Sequence, residues 1–251
     1  MRVQYCSDLH LEFEQNNKFL TDTPLTVCGD ILILAGDIVP LHEEFLNNSI
    51  FRYISKNYRQ TFWVPGNHEY YYADIAEFDF SSGLNLLGNI SIVNNTEIEF
   101  DGIRFIFTTL WSKIERLNEK YIEQSVSDFE CITINKKKFT VSDFNELHNE
   151  SLKYLKLATD HKTDKTVVVT HHLPSPLCNK DAHKKSIINE AFCVDLTEFI
   201  EDCNVAFWVY GHSHHNQKPV IIGKTIMLTN QLGYVELNEK DGFRQNAYFS
   251  I

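Results

Sequence analysis

The sequence predicts an α/β fold in which central sheets are flanked by helices, and three observations predict it. Short, nearly continuous apolar runs of strand length each stop abruptly in polar residues. Longer segments with helical spacing lie between them, and three pairs of β-type runs meet at turns containing Gly. Apolar runs of this length without alternation are what strands covered on both faces look like, whereas amphipathic segments between them supply the covering helices.

The elements follow in order. Strands are expected over 2–6, 31–35, 61–64, 166–170 and 205–210, and helices over 43–58, 112–127, 142–160 and 195–202. The third helix carries Phe144, Leu147, Leu152 and Leu155 on one stripe, and Thr140 to Asp143 has the spacing of a capping box at its start. Hairpins are expected over 97–108 at Asp101-Gly102, over 220–227 at Gly223-Lys224, and in a C-terminal pair at Asp241-Gly242. In such folds, binding groups collect beyond the carboxyl ends of the strands.

Composition limits the alternatives. The chain has 251 residues, 43% hydrophobic and 13% aromatic, which is ample for a large core, and no linker or repeat divides it. A single domain over 1–251 is the expectation. The net charge of −11 has the wrong sign for a protein held on nucleic acid by phosphate contacts, so extended nucleic acid is not an expected partner. The basic stretches Lys136 to Lys138 and Lys180 to Lys185 read as solvated loops. The N-terminus lacks a signal-type apolar region, and no run is long enough to span a membrane, which leaves a cytoplasmic location as the expectation. Six cysteines without CxxC spacing read as small core residues in a reducing compartment.

The residues that follow the apolar runs are unusual. They are SDLH (7–10), GDIV (36–39), GNHE (66–69), THH (170–172) and GHSHH (211–215), and seven of the chain's eleven histidines fall in these segments. Asp, Asn and His offer oxygen and imidazole nitrogen without thiolate, a donor set that suits Mn, Fe or Zn. Asp-x-His and His-x-His place two donors on one side of an extended segment. The candidate ligands are Asp8, His10, Asp37, Asn67, His171, His212 and His214, too many for one tetrahedral ion and natural for two ions sharing a carboxylate. The doubled histidine leaves His171 against His172 open by one residue, with His171 preferred because it is nearer the strand end. Other hydrolase motifs are missing: His42-Glu43-Glu44 starts like HExxH, but position 46 is Leu, and there is no GxSxG and no GxxxxGK[ST].

In this order the five segments resemble the calcineurin-like metallophosphoesterases, whose pattern is Asp-x-His, Gly-Asp, Gly-Asn-His, a later His, and Gly-His-x-His. NQLGY (230–234) and THHLPSP (170–176) also resemble a bacterial-type branch of that family. The resemblance implies a four-layer α-β-β-α sandwich with two central mixed β-sheets and a dinuclear site at one edge. It implies one metal held by Asp8, His10, Asp37 and His214, with Asp37 bridging to a second held by Asn67, His171 and His212. The cofactors would be two divalent or trivalent ions, Mn, Fe or Zn.

The implied function is hydrolysis of phosphate mono- or diesters of small molecules or nucleotides by attack of a metal-bridging hydroxide, with small phosphate esters as partners and no membrane. His68, beside Asn67, is the expected catalytic residue: it would give a proton to the leaving oxygen or stabilise the transferring phosphoryl group. The alternatives are a non-catalytic interaction scaffold on the same fold, against which every ligand position is filled, and a nuclease, against which the acidic balance counts. Lys180, His183, Lys184 and Lys185 would line the pocket mouth or form a plain surface loop. Tyr70 to Tyr72 and Trp111 would stack a base, although packing is the commoner use of such aromatics. The regions 73–89 and 112–138 are the expected shapers of substrate choice.

Overall fold

Alternation along the strands, hidden in the sequence because both faces are apolar, builds the layers. The structure, a computed structural model, describes residues 1–80, 82–160 and 165–251. In the first sheet, β1 (Arg2–Cys6), β2 (Ile31–Leu34), β3 (Gln60–Trp63) and β5 (Ile90–Ile92) run parallel, with β4 (Leu84–Asn85) and β14 (Tyr248–Ser250) as antiparallel edges. The second repeats the plan: β7 (Ile103–Thr108), β10 (Thr166–Thr170), β11 (Phe207–Tyr210) and β13 (Thr225–Thr229) are parallel, edged by β6 (Thr96–Phe100) and β12 (Val220–Ile222). A small hairpin, β8 (Thr133–Ile134) with β9 (Lys137–Lys138), stands apart.

Val3, Tyr5, Ile31, Ile33 and Phe62 of the first sheet meet Phe105, Phe107, Val167, Val169 and Val209 of the second in one buried cluster. The residues between them face outward. Leu32, Leu34 and Trp63 pack under α1 (Glu14–Asp22) and α3 (Ser49–Asn57) through Leu20, Phe51 and Ile54. Ile106, Val168 and Trp208 pack under α6 (Val141–Thr159) and α7 (Thr197–Asp202) through Leu155, Ala158 and Ile200. Each of these buried side chains contributes roughly 1.5–3 kcal/mol, and the result is the four-layer sandwich with two mixed sheets inside.

Several expectations need correction. The helix over 43–58 is two, α2 (Glu43–Leu46) and α3, because Asn48 accepts the amide of Ile50 (3.0 Å) and restarts the chain as an N-cap. Over 112–127 only α4 (Glu119–Glu123) is helical, followed by α5 (Asp128–Cys131). The stretch before α4 is held open by Asn145, which binds both the N–H and the carbonyl of Ile114 (2.9 Å each). The C-terminal pair does not form a hairpin: β14 pairs with β1 instead, because Phe249 buries beside Tyr5 in the inter-sheet core. The hairpins at Asp101-Gly102 and Gly223-Lys224 form as expected. On α6 the buried stripe is Val141, Phe144, His148, Ser151, Leu155 and Ala158, so Leu147 and Leu152 lie at its margins. The six cysteines are free, and among the described residues no helix is long and apolar enough to cross a membrane.

Candidate metal centre

The carboxyl ends of β1, β2 and β3 in one sheet and β10 and β11 in the other deliver the five motif loops to one place. Backbone bonds stitch the loops together: Asp8 N–H to Gly36 O (2.9 Å), His10 N–H to Asp37 O (3.0 Å), and Gly211 N–H to His171 O (3.0 Å). Asp8, His10, Asp37, His212 and His214 all have positive φ, between 45° and 76°. Left-handed backbone in non-glycine residues costs on the order of 1–3 kcal/mol each and persists where surrounding structure enforces it, commonly at functional sites. Two glycines make room. A Cβ on Gly66 would strike the Asp37 carboxylate and the His171 ring, and one on Gly211 would lie 2.7 Å from Asp8 Oδ2.

The side chains form three groups: His10, Glu12 and His68 converge in one, and the other two share the Asp37 carboxylate. Asp8, His10, Asp37 and His214 make up the first of these two, and Asp37, His171 and His212 the second. Asp37 Oδ2 lies 3.8 Å from His10 Nε2 and 3.3 Å from His171 Nε2. Asn67 Oδ1 joins the second group 3.2 Å from His171 Nε2. His172 lies behind the centre: its ring packs against His212 (4.1 Å between centroids), Trp111 and Phe144, and among the described residues neither nitrogen has a hydrogen-bond partner.

The donor set fits metal ions. His10 Nε2 faces His214 Nε2 at 2.9 Å, and His171 Nε2 faces His212 Nδ1 at 3.0 Å. Two nitrogens each about 2.1 Å from one ion and at right angles stand about 3 Å apart, so these separations are those of paired ligands. Three of these four rings are anchored on their far sides, as ligating imidazoles usually are, whereas His212 Nε2 is buried with no hydrogen-bond partner among the described residues. His171 Nδ1 donates to the Ala35 carbonyl (2.9 Å), His214 Nδ1 to Glu239 (2.6 Å), and His10 Nδ1 to Glu12 (3.2 Å).

Electrostatics point the same way. Burial opposes charge on His171, yet Asp37 outweighs it and raises His171 to about 9. His68 behaves alike: burial lowers it, but Asp37 and Glu12 bring it to about 9. Asp37, despite burial, is held well below the carboxylate range by His171 and His68. Without cations, Asp37 draws a proton onto His171, and a metal bound there would displace it.

Four carboxylates that sequence reasoning missed support the site. Glu69, fully buried, accepts from the N–H groups of Asp37 (2.9 Å), Ile38 (2.7 Å) and Gly66 (2.5 Å) and from Trp63 Nε1 (3.1 Å), locking two motif loops together. Burial and nearby Asp37 push its pKa up to about 7. Asp128 takes Asn67 Nδ2 (2.7 Å) and the Tyr71 hydroxyl (2.8 Å), which turns Asn67 Oδ1 toward His171. Glu12 Oε1 accepts from His68 Nδ1 (3.1 Å) as well as His10, and Glu239 holds His214. Glu69 closes the GNHE segment, but for Glu12, Asp128 and Glu239 the sequence offered only acidity, which is too common to single them out.

A cavity of about 300 Å³ opens over the centre, lined among others by Asn67, His68, Asp128, His212, His214 and Tyr234. Residues 125–128 of the expected 112–138 region line it. None of the described residues of 73–89, a region in which Ser81 lies outside the described residues, does so. Ile188 and Phe192, not anticipated, complete the wall. Tyr70 and Trp111 are core residues, Tyr71 stacks on His68 (4.0 Å), and Tyr72 is exposed. Of the basic loop, Lys184 pairs with Asp181 (2.9 Å), and His183 borders a neighbouring cleft.

Two mixed sheets between helices, with a His/Asp/Asn cluster beyond the ends of their parallel strands, define the class. The family model "Calcineurin-like phosphoesterase" matches residues 1–216, and the chain belongs to that family. It is similar to Uncharacterized protein L509 of Acanthamoeba polyphaga mimivirus, 34% identical over 279 residues that span 100% of this chain and 97% of that protein. Phosphopantetheinyl Hydrolase (PptH) from Mycobacterium tuberculosis has a similar structure, with a TM-score of 0.75 at 15% identity over 98% of this chain and 95% of that one. A dimetal phosphatase from Danio rerio gives 0.54 at 14% identity over 92% and 87%. At these identities the two structures show a shared fold.

Proposed function

We propose that the chain, acting as one domain over 1–251, is a dinuclear metal-dependent phosphoesterase that hydrolyses phosphate mono- or diesters of small molecules or nucleotides. The observation that carries this reading is the placement of Asp37 Oδ2 between two facing pairs of imidazole nitrogens. Asp8, His10, Asp37 and His214 would hold one ion, and Asp37, Asn67, His171 and His212 the other. Bound there, Mn, Fe or Zn ions would lower the pKa of the attacking water and set positive charge against the phosphoryl oxygens.

The chain's own residues do the rest. Glu12 accepts from His68 Nδ1 (3.1 Å), and in the charged ring a second proton on Nε2 would be available to the leaving oxygen. The Tyr234 hydroxyl, 3.4 Å from His68 Nε2, borders the same space. Asp128 keeps the Asn67 amide from rotating. Six free thiols suit a reducing, cytoplasmic compartment.

The test is hydrolysis of a generic monoester and a generic diester by purified protein with added Mn. Turnover of at least one, abolished by Asp37→Asn, is expected. No turnover of either by metal-loaded protein would favour the scaffold reading.

A further inference from the structure

Beside the metal centre lies a second cleft of about 260 Å³. The two spaces share Ile188, Phe192 and Ser213 as wall. Ser213 is the residue between His212 and His214, and Phe192 stacks on His212 with ring centroids 4.6 Å apart. A group bound at the centre therefore has the cleft one side chain away.

The two spaces differ in chemistry. Asp37, Asp128, Glu239 and three histidines line the first, whereas among the described residues no carboxylate, lysine or arginine lines the second. Its single ionisable side chain is His183, which burial and Lys180 hold toward the neutral form. A charged group placed there would find no opposite charge among the residues that line it. The cleft is also built in advance. Glu190 takes the Glu115 N–H (2.9 Å) and Asn118 Nδ2 (2.7 Å), pinning the 187–191 turn, and Asn179 Nδ2 bonds Asn189 Oδ1 (2.6 Å) across the wall. Its volume equals about nine waters at ~30 Å³ each, enough for a short chain or a ring.

We propose that this cleft is a substrate subsite that receives an uncharged, largely apolar arm, so that the preferred substrate is a phosphate ester whose alcohol bears a neutral chain or ring and no second charge. The inference rests on the phosphoesterase reading and adds the substrate class.

The test compares methylphosphonate, hexylphosphonate and 6-aminohexylphosphonate, which lack the ester bond, by titration calorimetry against Mn-loaded protein. A fully buried methylene tightens binding by up to about fourfold, and half that burial over five methylenes gives roughly thirtyfold. Hexylphosphonate is expected to bind about thirtyfold or more tighter than methylphosphonate, and the terminal ammonium should remove most of that gain. Ala182→Trp, which fills the cleft, should cut the advantage below about fivefold, and Ser186→Trp on the same wall serves if that variant does not fold. Equal binding of all three by protein that hydrolyses esters would overturn the inference and leave the phosphoesterase reading standing. Failure to bind any phosphonate, with no ester turned over, would overturn both.

Discussion

His68 is the residue whose role most needs a test, because it lines the cavity, stacks on Tyr71 and converges with Glu12 and the proposed ligand His10, yet is assigned to the proton and not to a metal. His68→Ala is expected to lower kcat by roughly 10²–10⁴ with metal content nearly unchanged. Metal lost in parallel with activity would make it a ligand and refute the role assigned here. The seven candidate ligands were legible because few residue types serve both as poor core formers and as good metal donors, and they follow strands. Glu12, Asp128 and Glu239 were not, since an acidic loop residue acquires meaning only from a partner far along the chain: Asp128 meets Asn67 across 61 positions. His171 and His172 illustrate the same limit. Both are buried, and only the fold turns the ring of one toward Asp37 and of the other into the aromatic core.

Elements were readable where their determinants are local. The box that starts α6 is an example: the Thr140 hydroxyl accepts the Asp143 N–H (3.3 Å), and the Asp143 carboxylate accepts the Thr140 N–H (2.9 Å). Thr140→Ala should cost about 1 kcal/mol in urea unfolding, and an unchanged midpoint would refute the cap's contribution. The same helix carries His148, buried, with Nδ1 donating to the Trp111 carbonyl (2.6 Å). Burial lowers its pKa below the usual 6.5, so as pH falls the unfolded chain takes up this proton first. Stability is lost as pH drops through 6.5 toward the folded value, at no more than about 1.4 kcal/mol per pH unit for one proton. His148→Gln, which can still donate to Trp111, should flatten stability between pH 7 and 5, and an identical pH slope would contradict this. One misreading was local, since the Asn48 cap that splits the 43–58 helix sits two residues from the amide it takes, and the others were decided at long range. Asn145 holds residue 114 out of a helix, and β14 finds β1 across the whole length of the chain.

At the scale of the whole molecule, two mixed sheets present the five loops that follow their parallel strands to one another, and an inter-sheet core of Phe62, Phe105 and Phe107 fixes their relation. On the proposed reading, that arrangement would let a chain of net charge −11 act on anionic esters, since two divalent ions would govern the local field. It was legible in outline from the order of apolar runs and motifs. The pairing of edges and the cleft beside the centre were not, because both depend on which segments the layers bring together. The most direct measurement is elemental analysis of protein reconstituted with Mn and desalted, made alongside Asp37→Asn. The account predicts about two ions per chain in the parent protein and a marked loss when the shared carboxylate is replaced. No bound ion after reconstitution, or full occupancy without the Asp37 carboxylate, would contradict it.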